Sequence, residues 1–454
     1  MIAAGRDEPF LNINEERDRA PETPPVISIE VLNSRDHTTE PARAGAQEPA
    51  SLRVLVLSYE TPAYPAAGGP SRQHVLLEPL AKRHRIRVLS TGGDPPFGRP
   101  PAGVEIRRID PGPPVTPERG SWLSRNARHY LVGGPWLYVL ALHHERALAA
   151  VLDEELQSLR PDVVIVEHEE LAPLLKRIPS EIPAALVLHN MLLEVQWQNR
   201  RRGSVWESIK AMLELFVLAR EERRALGAAA ATVVVSEPSM RLGRSLRRSA
   251  KLSLIPNCVN VEYFRRHGAR ADHPVIVMTA SYHYPPNQAA ARELIEEIFP
   301  VVRSQVPGVE LRLVGQQMPS WMEKLAGSAP GVSLVGAVDD IRPELEGAWV
   351  AVAPLRQGSG SPLKVLEALS MEVPVVATTR VGRALGLGPE DGVLTARRPD
   401  ELARAIASIL NDQARCARLG AAGRATVERR FDAGVVALDL ERVWRAAARK
   451  AGDR

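Results

Sequence analysis

The 454-residue sequence predicts an α/β protein built as two Rossmann-like, doubly wound domains that face each other across a cleft. Three observations carry that reading. Short β-branched, apolar runs alternate with helical patterns, as strands buried on both faces of a parallel sheet require. The alternation occurs twice, and a polar stretch from Pro256 to His273 breaks the periodicity between the two series. Glycine-rich segments follow strands in both series, where strand carboxyl ends and helix amino ends converge on ligands.

Residues 1–50 hold six prolines, ten acids and five arginines, with no sustained periodicity. They read as a disordered acidic tail, with an ordered strand at Val26–Val31 as the alternative. From Ser51 the pattern changes, and strands are expected at Arg53–Ser58, Ile86–Ser90, Val163–Glu167, Ala185–Leu188 and Thr232–Ser236. A helix is expected at Gln73–Arg83. The second series predicts strands at Val275–Ala280, Glu310–Val314, Val332–Val335, Trp349–Ala353 and Pro374–Thr378. Its helices are Gln288–Val302, Pro362–Met371 and Glu401–Asn411. Val435–Lys450 is a last helix, apolar at Val436, Leu440, Val443 and Ala447. The expected division is a tail (1–50), a first domain (51–262), a second (270–430) and a closing helix (431–454) that packs back toward the first.

Composition narrows the function classes. Hydrophobic residues at 44% and charged residues at 25% suit a globular protein. Two distant cysteines, Cys258 and Cys416, exclude a disulfide framework and point to a reducing, cytoplasmic setting. No signal-like segment opens the chain, and the apolar run Leu131–Leu142 is too short to span a bilayer. Residues 1–50 carry about −5 while the whole chain is +4, which leaves about +9 on the remainder. That excess favours nucleotide diphosphates, lipid phosphates or nucleic acid. Nucleic acid is disfavoured, because only 4% of residues are aromatic and none interleave with a basic run.

The most informative passage runs from Val352 to Leu369 (VAPLRQGSGSPLKVLEAL). A strand enters a loop containing Gly358, Ser359 and Gly360, and then a helix. Ser361 suits the N-cap and Pro362 the first helical position. Leu363, Leu366 and Leu369 form a core-facing stripe. Free N–H groups of Leu363 and Lys364, with the helix dipole behind them, make a site for phosphate oxygens. Lys364 adds a full charge. Glu367, a turn further on, presents two oxygens to a pair of neighbouring hydroxyls such as a ribose supplies. Each part alone also fits an ordinary strand–helix turn.

The passage resembles the donor-site motif of the retaining glycosyltransferases of family 4, which have the GT-B fold. Other segments agree in order. Ala63–Arg72, with Gly68 and Gly69, looks like the family's amino-terminal glycine loop facing the diphosphate. Ile255-Pro-Asn-Cys-Val-Asn260 is similar to its segment before the second domain. Val335–Asp340, with Gly336 and Val338, looks like the loop that reads the nucleobase through its backbone. Gly382 and Gly386–Gly388 sit where the family has a second glycine turn. The resemblance spans roughly residues 52–430.

Three departures qualify it. The first of the family's paired glutamates would fall at Ser359. Pro362 replaces an arginine common in the subfamily with GSG-type loops. Ser281–Asn287 (SYHYPPN) resembles the PPN subfamily and places Asn287, rather than a fixed cation, at the donor. Lys364 and Arg356 are then the expected partners of the diphosphate.

In the first domain, His189 follows a strand and matches the family's cleft histidine; a histidine capping the next helix is the alternative. Glu167 and His168, also beyond a strand, are expected with Asn190 at the acceptor. Adjacent side chains rarely aim at one ion, so no metal is expected at Glu167–Glu169. The arginines at 200–202, Arg220, Arg223, Arg224, Arg241, Arg244, Arg247, Arg248 and Lys251 are either solvated helix faces or a surface for anionic membrane. The resemblance implies retaining, metal-independent transfer without a cofactor, from a nucleoside diphosphate sugar to a sugar, lipid-linked or small-molecule acceptor. His189, Lys364 and Glu367 would be central to it. A GT-B epimerase and a non-catalytic binding subunit are the alternatives.

Overall fold

The computed structural model describes residues 50–66, 68–93, 98–113, 142–199, 205–358 and 360–452. Apart from Ala50 and Leu142, the expected tail and the apolar run Leu131–Leu142 lie outside the described residues, as do Arg200–Arg202 and Ser359.

The first sheet has seven parallel strands, β1 (Arg53–Ser58), β2 (Arg85–Ser90), β3 (Val104–Arg108), β4 (Val163–Glu167), β5 (Ala184–Leu188), β6 (Ala231–Val234) and β7 (Leu252–Leu254). Their order is β3-β2-β1-β4-β5-β6-β7. Central β1 pairs on both sides, Val54 opposite Ile86 and Val163. This explains its unbroken apolar run, which helices cover on both faces. The second sheet contains β8 (Val275–Thr279), β9 (Glu310–Val314), β10 (Val332–Gly336), β11 (Val350–Ala353), β12 (Val375–Thr378) and β13 (Val393–Ala396). It runs β10-β9-β8-β11-β12-β13, again all parallel. In each sheet the order reverses beside the first strand of the series, between β1 and β4 and between β8 and β11. Those reversals open crevices at the strand carboxyl ends.

The sequence reading places ten of these strands to within about two residues and omits β3, β7 and β13. All three are sheet edges. β3 (VEIRR) is half-exposed and β7 is three residues long, so neither needs an apolar run. The first helix starts at Gly69, four residues before the expected Gln73. The expected helix Gln288–Val302 runs from Pro285 to Gln305 through a π segment at Leu294–Ile298.

The last helix, Ala433–Gly452, returns to the N-terminal half and packs on the helix Gly69–Ala81. Trp444 is fully buried there, in one core with Leu77, Phe264, Leu366 and Val436. Buried Glu441 is met by Arg83 at 2.6 Å, Arg445 at 2.7 Å and His84 at 3.2 Å, which compensates its desolvation. The chain end therefore ties the two sheets together.

Candidate active site

The N-terminal wall forms where β1, β4 and β5 end. Tyr59 and Glu60 follow β1, and Gly68 opens the helix Gly69–Ala81 with φ +62°. At Gly69 a Cβ would collide with the Glu60 carboxylate and force that side chain to move. Glu60 pairs with His168 Nε2 at 3.3 Å. The His168 ring is stacked between Tyr59 (4.0 Å between centroids) and His189 (4.4 Å, planes 17° apart).

Electrostatics divides the two histidines. Burial opposes charge on His168, but Glu60, Glu167 and Glu170 outweigh it and raise its pKa to about 9. For His189, burial and the charge of His168 depress the pKa against the pull of Glu167. Burial would raise Glu167, yet its bond to His189 and the charges of His168 and Arg72 hold it below the ordinary carboxylate range. The result is an ionised Glu167 beside a neutral His189, with Nε2 2.7 Å from Oε2. A carboxylate only accepts, so Nε2 carries the proton and the Nδ1 lone pair is left for a hydroxyl. Glu169 instead accepts the backbone N–H groups of His189 (3.1 Å) and Asn190 (3.4 Å). Thus Glu167 turns to the His189 ring, His168 to Glu60, and Glu169 to the backbone at His189 and Asn190. Among the described residues no trio of His, Cys, Asp or Glu gathers as an ion-binding set.

The C-terminal wall corrects one local expectation. The helix starts at Leu363, with Pro362 in extended backbone (φ −72°, ψ 118°) as its cap and no side-chain cap bond. Ser361 is not the N-cap; its hydroxyl receives the N–H of Asn257 at 3.3 Å instead. Leu363 and Lys364 still open the helix. The Lys364 ammonium donates to Asn287 Oδ1 at 3.0 Å, and Asn287 donates to the Ser281 carbonyl at 2.8 Å. Burial lowers the Lys364 pKa to about 8, against the pull of Glu367. Burial also raises Glu367 to about 7, with Lys364 opposing. Both side chains keep part of their surface open, as ligand groups in a cleft must.

Beside Glu367 lies Tyr64, whose phenol is held well above its usual pKa, first by burial and then by the Glu367 charge. Its buried hydroxyl has no hydrogen-bond partner among the described residues. Tyr263 meets the Tyr64 ring edge-on at 5.1 Å. Arg342 lies 4.0 Å over Tyr263 and is held by Asp340 at 2.6 Å. Asp340 closes the loop expected to read the base. Within that loop Gly336 (φ +82°) has its carbonyl engaged by the Gly315 N–H at 2.7 Å, and Val338 is partly buried.

The two walls touch. A Cβ on Gly360 would lie 3.6 Å from the His189 carbonyl and 3.7 Å from Asn190 Oδ1. Gly358 donates its N–H to Gln198 at 2.9 Å, and Arg380 pairs with Glu194 at 3.0 Å while donating to the Gly358 carbonyl. Buried Arg72 donates to the carbonyls of Pro256 (2.6 Å) and Ile255 (2.9 Å) and to Asn257 Oδ1 (3.0 Å). Asn257 in turn holds Ser361, so the first helix is connected through the linker to the glycine loop. Arg356 is occupied by Glu293 and by the Arg397 carbonyl at 2.7 Å.

His189, Asn190, Gly360, Ser361, Lys364, Glu367 and Asn287 therefore form one continuous surface, with Gly68 and Gly69 on the loop that carries Glu60. Sequence reasoning missed Tyr59, Glu60, Arg72, Gln198, Asn257 and Arg380. Tyr59 and Glu60, directly behind β1, had a positional signal, and Arg72 and Asn257 lie inside segments singled out above for other reasons; Gln198 and Arg380 act through partners distant in the chain. The two walls thus carry a neutral imidazole on one side and an ammonium, a carboxylate and loop amides on the other, groups suited to holding a polyhydroxyl anion.

Residues 68–263 match the model described as Glycosyltransferase Family 4, and residues 273–412 that of Glycosyl transferases group 1. The two matches divide where the first sheet ends and the second begins. No curated protein matches the sequence. Among solved structures, sucrose-phosphate synthase from Thermosynechococcus elongatus superposes with a TM-score of 0.66 at 18% identity, over 86% of this chain and 98% of that one. WaaG, a glycosyltransferase involved in lipopolysaccharide biosynthesis, gives 0.59 at 14%, over 85% and 98%. HepE of Anabaena, in complex with UDP and glucose, gives 0.58 at 13%, over 86% and 98%. At these identities the superpositions show the fold, and the two family models supply the chemistry class. The chain is a glycosyltransferase of the GT-B fold, with a family 4 domain followed by a group 1 domain.

Proposed function

We propose that the protein transfers a sugar, with retention, from a nucleoside diphosphate sugar to an acceptor hydroxyl, in polysaccharide, glycolipid or glycoconjugate synthesis in the cytoplasm. Glu367 takes the ribose hydroxyls, and the loop Val335–Asp340 takes the base. Lys364, with amides of Gly68–Gly69 and Gly360, takes the diphosphate. Stabilising the departing diphosphate is the main catalytic contribution. His189, oriented by Glu167, receives a hydroxyl of the transferred sugar or acceptor at Nδ1, and Glu167, His168 and Asn190 line the acceptor side. Retention implies attack from the face the diphosphate leaves.

The observation that supports this reading is the approach of Gly360 to the His189 carbonyl, which brings the loop preceding Lys364 and Glu367 against the strand end that carries the Glu167–His189 pair. HepE, crystallised with UDP-glucose, lends the donor class. The test is a thermal-shift panel of UDP-, GDP- and ADP-sugars, followed by a transfer assay. A ligand at a hundred times its Kd adds about 2.7 kcal/mol. Nucleotide binding with neither transfer nor hydrolysis would favour a non-catalytic subunit.

A second observation favours a lipid-linked acceptor. On the helix Val205–Ala228, Met212 and Phe216 are about 70% exposed and Leu213 about half, with Trp197 exposed on the preceding helix. The same helix carries exposed Arg220, Arg223 and Arg224. An apolar patch beside a basic one suits an anionic bilayer surface. No helix among the described residues is long and apolar enough to cross a membrane.

A further inference from the structure

A cavity of about 420 Å³ opens beside the glycine loop, walled by both halves of the chain. Glu194, Pro238 and Arg241 come from the first half; Arg356, Gly358, Arg380, Arg383 and Arg397 come from the second. Five arginines and a single acid line it. Glu194 is already paired with Arg380, and Arg356 with Glu293. Arg241, Arg383 and Arg397 are exposed, line the cavity and have no ion-pair partner among the described residues. Like charges gathered around one concave space repel, and their field there attracts an anion.

The cavity borders the candidate reaction centre. Gly358 stands two residues before Gly360, which abuts the His189 carbonyl, and Glu194 follows His189 by five residues. A group held here therefore sits against the same loop that carries Gly360. Its cations are separate from Lys364, which turns to Asn287.

We propose that this cavity binds an anionic substituent, a phosphate or a carboxylate, of a sugar substrate, with Arg241, Arg383 and Arg397 as its ligands. The inference rests on the glycosyl-transfer reading above and specifies the substrate class of that site. Arginine forks match both phosphate and carboxylate oxygens. The volume suits a monosaccharide with its charged group. Because the walls come from both halves, a bound anion also links them.

Calorimetry on the full chain tests this with glucose 6-phosphate, glucuronate, inorganic phosphate and neutral glucose, each with and without UDP, GDP or ADP. A donor arm compares UDP-glucuronate with UDP-glucose. In the parent at least one anionic sugar should bind tenfold or more tighter than its neutral counterpart. Preference in the glucose 6-phosphate and glucuronate arms assigns the anion to the acceptor, and preference in the UDP-glucuronate arm assigns it to the donor. The double variant Arg383→Gln, Arg397→Gln should lose most of that preference and keep the parent's nucleoside diphosphate affinity. Arg244→Gln, outside the cavity, should change neither. No preference in any arm, a preference that survives the double variant, or inorganic phosphate binding as tightly as the sugar phosphate would overturn the proposal. Absence of all nucleotide binding counts instead against the reading in the preceding subsection, and the arms without nucleotide still decide this one.

Discussion

His189 Nε2 lies 2.7 Å from Glu167 Oε2, and the same imidazole stacks 4.4 Å from the raised-pKa ring of His168. A carboxylate and a cation thus fix both the tautomer and the neutral state of one cleft histidine. His189→Ala should lower turnover by about 10²-fold or more while leaving nucleoside diphosphate affinity nearly unchanged. Glu167→Gln, which keeps the shape but removes the charge that fixes the tautomer, should lower turnover in the same direction. Steady-state rates beside calorimetry check both, and a His189→Ala enzyme with parental turnover would remove the histidine from the mechanism.

Nucleotide affinity should be bell-shaped in pH. Glu367 must be ionised to accept ribose hydroxyls, and with a pKa of about 7 it protonates as pH falls through that value. Lys364 must be charged to hold diphosphate, and with a pKa of about 8 it deprotonates as pH rises through that value. Affinity for a nucleoside diphosphate is then highest between about pH 7 and 8. Glu367→Gln should flatten the acid limb and Lys364→Met the alkaline one. A flat profile between pH 6 and 9 would contradict the assigned roles.

Folding stability carries a different signature. His168 is raised from 6.5 to about 9, so its pairing with Glu60 stabilises fully below pH 6.5 and is lost as pH rises through about 9. Melting temperature should therefore decline over that interval, and the decline should shrink in His168→Gln. An NMR titration placing His168 below pH 6 would refute the premise.

Diphosphate charge in the proposed site is met by Lys364 and amides. Transfer should therefore survive a strong chelator. Loss of activity in EDTA, restored by magnesium or manganese, would require a metal bound with the donor.

If the Met212–Phe216 patch and the neighbouring arginines dock on membrane, the protein should bind anionic vesicles and release them steeply as salt rises. Replacing Met212 and Phe216 by serine should weaken binding at every salt concentration. Equal partitioning onto neutral and anionic vesicles would end the membrane reading.

Much of the fold was legible because both sheets are parallel and covered, so their central strands cannot be polar. β1, β4, β8 and β11 announce themselves for that reason. β3, β7 and β13 sit on sheet edges, where solvent relaxes the pattern. The helix proposed to hold the donor was legible as a helix from its glycine loop and apolar stripe, local features of one stretch of chain. Its exact start was not: Pro362 caps it, and the Ser361 hydroxyl meets Asn257, 104 residues away in sequence, rather than the helix. The same holds for Glu60 against His168 and for Gln198 against Gly358. Sequence spacing cannot announce a pair that only strand pairing within a sheet, or the closing of one sheet on the other, brings together.

The most direct measurement is calorimetry of nucleoside diphosphate binding to Glu367→Ala beside the parent protein. Glu367 is assigned up to two charge-assisted hydrogen bonds to ribose, each contributing about 1.5–3 kcal/mol. Losing even one should weaken binding roughly ten- to a hundredfold, with the melting temperature of the free protein largely kept. A variant that binds nucleoside diphosphate as tightly as the parent would reduce the segment from Gly358 to Glu367 to an ordinary strand–helix turn and contradict the donor site.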